Sequence, residues 1–254
     1  MTKIKLISDI HIDYDRTDPT GQRFLESLPK DDIDVLAFAG DLVTGGNLSK
    51  YLDAYKRMAD SYPHVVAVLG NHDYYNSTIK ETFDVMNDFQ AKTTNFHWLQ
   101  NNKKEINGQV FAGTTLWFPE IDWMPGFHSW IDFRYVKYLN HDYKNEHEAA
   151  RQFIKNEVSG SDILITHHIP HHFAVHGNYV GDDYNCYFLG DCSDILDPKN
   201  LPYVFFGHSH LYIDRQIKNT QYLLNPRGYP GEWGKNDFNK DLIIDTSLDV
   251  LEKV

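Results

Sequence analysis

The stretch Tyr203-Val204-Phe205-Phe206-Gly207-His208-Ser209-His210 decides how the whole chain is read. Four apolar residues in a row have the length and composition of a strand buried on both faces. The run then breaks at a glycine and ends on two histidines spaced i, i+2. A strand tip needs no imidazole for stability, and side chains two apart point to one side of an extended backbone. Alone, the fragment reads equally well as a polar turn. The rest of the chain has to decide.

Four further runs repeat the pattern. "IKLIS" (4–8) leads to Asp9 and His11, "VLAFAG" (35–40) to Asp41, "VVAVLG" (65–70) to Asn71, His72 and Asp73, and "DILIT" (162–166) to His167 and His168. Helical patterns fall between them. Residues 47–61 place Leu48, Leu52, Tyr55 and Met58 on one side, 77–90 open on a Ser/Thr cap, and 145–158 form a third. Strands alternating with helices predict an α/β fold with largely parallel pairing. Residues 117–143 differ: they are aromatic, carry Pro119, Pro125 and Gly126, and read as an insertion over one face. Trp117, Trp123, Trp130 and Tyr135 in and around it read first as a local core, with stacking on a base or sugar as the alternative. With no repeat, low-complexity tract or linker, residues 1–254 are expected to form one domain.

Composition narrows the function. The chain has 254 residues, 41% of them hydrophobic, enough for a sizeable core. A formal net charge of −12 disfavours nucleic acid and anionic membrane as partners. Cys186 and Cys192 make no disulfide framework, and their spacing fits no zinc motif. The start "MTKIKLISDIH" lacks a signal-peptide core, and no run approaches the ~18 apolar residues of a membrane helix. A cytoplasmic protein is expected.

In open α/β sheets the functional crevice lies beyond the carboxyl ends of the strands. All five runs end there in potential metal ligands: Asp9, His11, Asp41, Asn71, His167, His208 and His210. Oxygen and imidazole donors without thiolate suit Mn, Fe or Zn, which this set does not distinguish. Seven donors are too many for one tetrahedral ion and suit two divalent ions sharing a carboxylate, with Asp41 the best bridge. The i, i+2 spacings of Asp9/His11 and His208/His210 are expected to project each pair from one face of a strand end.

The blocks "DIH", "GDLV", "GNHD", "THH" and "GHSH", in that order over residues 9–210, resemble the calcineurin-like metallophosphoesterase superfamily. "TLWF" (115–118) and "NPRGY" (225–229) further resemble an uncharacterised bacterial and phage branch of it. The resemblance implies a four-layer α/β/β/α sandwich of two mixed sheets flanked by helices, with metals at the strand C-terminal ends. It also implies a small phosphorylated substrate, a phosphomonoester or phosphodiester, attacked in line by a hydroxide bridging two ions. Carried over by position, it puts Asp9, His11, Asp41 and His210 on one ion, and Asp41, Asn71, His167 and His208 on the other. His72 would protonate the leaving oxygen with Asp73 orienting it. The place of Pro170 favours His167 over its neighbour as ligand and leaves His168 as a candidate substrate contact at the pocket wall, or in packing. Arg227 is a candidate phosphate binder because its planar fork suits that geometry. Nuclease or nucleotide pyrophosphatase activity on the same metals, or a scaffold without catalysis, stay open as alternatives. Oligomeric state leaves no mark in the sequence.

Overall fold

The computed structural model describes residues 2–246; the remainder of the single domain expected over 1–254 lies outside the described residues. The strands are β1 (Lys3–Ile7), β2 (Val35–Ala39), β3 (His64–Val68), β4 (Phe96–Trp98), β5 (Asn102–Ile106), β6 (Gln109–Thr114), β7 (Ile163–Thr166), β8 (Tyr203–Phe206), β9 (Ile213–Ile217), β10 (Thr220–Leu224) and β11 (Ile243–Asp245). The helices are α1 (Gln22–Ser27), α2 (Leu52–Ser61), α3 (Ile79–Ala91), α4 (Ile131–Tyr135), α5 (Leu139–Glu157) and α6 (Ser193–Leu196).

Two mixed sheets form. The first runs β11-β1-β2-β3-β4, parallel except for β11. The second runs β5-β6-β7-β8-β10-β9, parallel from β6 to β10 with antiparallel strands at both edges. The pleat sorts each strand between two cores. Val35, Ala37 and Ala39 of β2 meet Tyr203 and Phe205 of β8 in the layer between the sheets. Leu36 and Phe38 face outward onto Ala54, Tyr55 and Met58 of α2 and Met86 of α3. On the other side Val204 and Phe206 face Phe153 and Ile154 of α5 and Leu196 of α6. This is the expected α/β/β/α order of layers. Each buried Val, Leu, Ile, Phe or Met among them contributes ~1.5–3 kcal/mol by leaving water.

Local chemistry sets the helix ends. Thr78 and Glu81 form a reciprocal capping box at the start of α3, as the cap at 77–78 suggested. The helix expected over 47–61 starts later, because Asn47 caps a separate 3-10 turn and the chain re-enters helix only at Leu52. The helix expected at 145 begins at Leu139, inside the aromatic segment. That segment is only partly core: Trp123 and Tyr135 are exposed, against the expectation of a local core. Trp117 and Phe118 are fully buried against the helices of the first sheet, and Tyr135 stacks on Tyr75 at 5.2 Å. No helix among the described residues is long and apolar enough to cross a membrane.

Candidate metal centre

The ligand candidates converge at the strand crests, by a different route from the one the spacing suggested. β1 has already ended at Ile7, so Asp9 and His11 are not strand residues. Asp9 (φ 49°), His11 (φ 42°), Asp41 (φ 60°) and His208 (φ 71°) all take left-handed backbone. Such conformations cost ~1–3 kcal/mol each outside glycine and persist where the surroundings over-determine them. The pairs therefore converge through tight turns rather than through pleat alternation. Two glycines make room for them. Gly40 turns at φ +89°, where a Cβ would come within 2.6 Å of the Gly70 nitrogen and of His167 Nδ1. A Cβ on Gly70 would overlap Asp41 itself.

Two clusters result, each straddling both sheets. Asp9 and His11, after β1, meet His210, beyond β8, and Asp41, after β2, meets His167 and His208, after β7 and β8. His11 Nε2 lies 3.1 Å from His210 Nε2, and His210 Nε2 lies 3.7 Å from Asp9 Oδ1. Asp41 Oδ2 stands between the clusters, 3.4 Å from His167 Nε2 and 3.7 Å from His11 Nε2. Asn71 Oδ1 joins the second cluster, 3.0 Å from His167 Nε2. All seven expected ligands are thus brought together.

The donors fit divalent cations on three counts. Their outer nitrogens are occupied: His11 Nδ1 meets the Val43 carbonyl (3.2 Å), His167 Nδ1 that of Ala39 (2.8 Å), and His208 Nε2 that of Tyr187 (3.3 Å). Such partners fix the tautomer and aim the other nitrogen inward. Asp9 Oδ2 is buried without a hydrogen-bond partner, a costly state for a carboxylate oxygen unless a cation serves it. The protonation pattern also fits. Burial lowers His11 and His208 into the neutral, ligating form. Burial opposes charge on His167 too, but the Asp41 carboxylate lifts it to about 9. Likewise Glu232 and Asp9 raise His210 against its burial. A cation taken up at either cluster would compete with protons for these nitrogens.

Two supporting residues reach the ligands from distant parts of the chain. Glu232 accepts from His210 Nδ1 (2.8 Å) and from the Tyr229 amide (2.7 Å). Glu232→Gln is expected to weaken divalent-cation affinity ~10–100-fold, as loss of such outer partners typically does, in calorimetric titration of metal-free protein. A change below twofold would reduce Glu232 to a brace for the turn at Tyr229. Asp132, buried in α4, accepts from Asn71 Nδ2 (2.8 Å), Tyr75 Oη (2.6 Å) and Trp130 Nε1 (2.9 Å). It settles which way the Asn71 amide faces, leaving Oδ1 turned to the cluster.

The remaining candidates divide. His72 lines the cavity beside the clusters, and its Nδ1 lies 2.6 Å from the Thr44 carbonyl. Asp73 was expected to orient it. Instead, the two Asp73 oxygens accept four backbone amides, from Asp41, Leu42, Val43 and Gly70, at 2.9–3.3 Å. Asp73 therefore ties the Asp41 turn to the Gly70 turn, and Thr44 holds the imidazole. Arg227 requires the larger correction. Its fork is spent on Asp15 (3.0 Å) and the Ile10 carbonyl (3.3 Å), and its plane is held between the rings of Phe24 and Trp233. It lies outside the cavity wall, where it can meet no phosphate. The "NPRGY" segment instead pins the two sheets together. Asn225 donates to the Leu6 carbonyl, and the Arg227 and Gly228 amides donate to the carbonyls of Ser8 and Asp9. His168 is also not a wall residue: it is fully buried behind His208, its ring 4.4 Å away, against Trp117 and Phe118.

The clusters open into a cavity of about 370 Å³. Its near end is Asp41, Asn71, His72, His208 and His210, and its far wall is aromatic. A family profile described as calcineurin-like phosphoesterase matches residues 2–212. The uncharacterized protein L509 of Acanthamoeba polyphaga mimivirus is 28% identical over 284 residues, covering 96% of this chain and 97% of that one. Among solved structures, the phosphopantetheinyl hydrolase PptH of Mycobacterium tuberculosis superposes with a TM-score of 0.68 at 14% identity, over 91% of each chain. That likeness is one of fold.

Proposed function

Because the chain belongs to the calcineurin-like phosphoesterase family, whose members are metal-dependent phosphoesterases, we propose that it holds two divalent cations and hydrolyses a small phosphomonoester or phosphodiester. The supporting observation is the pair of buried ligand clusters, with Asp41 between them, at the floor of a cavity that His72 also lines. In this reading Asp9, His11 and His210 hold one ion, and Asn71, His167 and His208 the other. Asp41 serves both. Ions bound there supply Lewis acidity, lowering the pKa of water and neutralising charge on phosphoryl oxygens.

The protein's own groups do the rest. The carbonyls of Val43, Ala39 and Tyr187 hold the imidazoles in the ligating tautomer. The Thr44 carbonyl accepts from His72 Nδ1, so that Nε2 is the atom left to pass a proton to the leaving alkoxide. Charge supports a phosphate-binding floor in an acidic protein: two dications against the Asp9 and Asp41 carboxylates leave roughly +2 locally. The ligand chemistry does not separate Mn, Fe and Zn.

The test strips the protein with a chelator, reloads it with Mn²⁺, and assays p-nitrophenyl phosphate and its bis ester. The expected result is two equivalents of metal and turnover that disappears on chelation and returns on reloading. Full occupancy without turnover would favour the non-catalytic scaffold. Turnover confined to oligonucleotides would favour the nuclease, against which the net charge of −12 counts.

A further inference from the structure

The far wall of the cavity carries a second set of signals. It is built by Trp130 and Ile131 at the head of α4 and by Tyr179, Asp182, Tyr184 and Phe188 from the loop after β7. Trp130 lies flat on the buried Tyr187 at 4.0 Å and close to parallel with Tyr184 at 5.9 Å, and Trp130 and Tyr184 both border the cavity. Phe188 packs on His208 at 4.4 Å, which brings apolar surface right up to the metal cluster. Among the described lining residues there is no lysine or arginine; Asp182 and His176 are the ionisable side chains on this wall besides the tyrosines, since Glu232 is taken up by His210. Beyond the ligand clusters the cavity is therefore aromatic, with the Asp182 carboxylate and the His176 imidazole as its polar groups.

From this charge gradient we infer that the cavity selects esters with a single phosphoryl group on an aromatic, uncharged or cationic organic part. The inference rests on the phosphoesterase reading above and names its substrate class. The phosphoryl group sits on the metal floor, where the net charge is positive. The organic part then meets rings that stack and, in Asp182, a carboxylate that repels anions. A second phosphate would lie against Asp182 with no lysine or arginine among the described lining residues to receive it. A polymer is disfavoured as well, since about 370 Å³ is near the small end of ligand cavities and suits one compact molecule.

Three alkyl phosphates with leaving alcohols of similar acidity test this: 2-phenylethyl, propyl and 2-carboxyethyl phosphate. The expected order of kcat/KM in the metal-loaded protein is phenylethyl above propyl by about tenfold, with carboxyethyl a further tenfold or more below. Tyr184→Ala is expected to cut the phenylethyl-to-propyl ratio severalfold; that side chain is 48% exposed, so truncating it spares the core. Asp182→Lys is expected to raise the carboxyethyl ester relative to propyl. Equal kcat/KM within twofold for all three esters, or carboxyethyl as the best, would overturn the inference. Calorimetric binding of 2-phenylethylphosphonate against propylphosphonate gives the same comparison without turnover. If the phosphonates rank as expected while no ester is hydrolysed, the hydrolase reading fails and the selectivity stands. If turnover is present and the phosphonates bind alike, the reverse holds.

Discussion

Asp41→Asn is expected to lower kcat/KM on p-nitrophenyl phosphate by at least ~10³-fold and to reduce bound metal below two equivalents. The replacement keeps the side chain's shape and an acceptor for the His72 amide, which Asp41 Oδ1 takes at 3.0 Å. What it removes is the charge that both clusters share through Oδ2. Metal-centred activation of water and phosphate supplies several kcal/mol of transition-state stabilisation, and ~4 kcal/mol already corresponds to 10³ in rate. The same substitution takes away the charge that raises His167 in the metal-free protein. Elemental analysis beside steady-state kinetics reads both effects. A variant that keeps two equivalents and turns over within tenfold of the parent would move the bridge to another residue.

His72→Ala tests a separate step. Because His72 stands beside the clusters and is not one of their donors, metal content is expected to stay at the parent value. Hydrolysis of an alkyl phosphate is expected to fall ~10²–10⁴-fold, the usual worth of a positioned general acid. p-Nitrophenyl phosphate, whose leaving group needs no proton, is expected to lose far less. The split between the two substrates carries the diagnosis, since a damaged metal site would slow both alike. Equal losses would leave His72 as part of the cavity wall only.

The fold and the ligand set were legible for a definite reason. Each donor follows a short apolar run, and strands buried on both faces announce themselves by such runs even with Lys5 inside one. Lys5 is tolerated because its ammonium reaches the carbonyls of Lys240 and Leu242. Strands β4, β5 and β6 were missed, since β4 is only three residues long, β5 is mostly exposed and polar, and none of them leads to a ligand. Glu232, and the role of Asp132, whose stretch "IDFRY" resembles one in the bacterial and phage branch, were hidden for another reason. They act on His210 and Asn71 from 22 and 61 residues away, and no periodicity reports a hydrogen bond across that distance. Arg227 shows the converse error. Its residue type suggested phosphate, but the partners that consumed its fork, Asp15 and the rings of Phe24 and Trp233, come from remote parts of the chain.

Each ligand cluster draws on the crests of both sheets. An ion seated there is consequently a rivet through two leaves as well as a chemical group. Its binding adds to the cohesion of the folded state by mass action, rising with the logarithm of free metal over its dissociation constant. Metal supply in the surroundings would then govern both how fast the protein works and how firmly its halves stay joined.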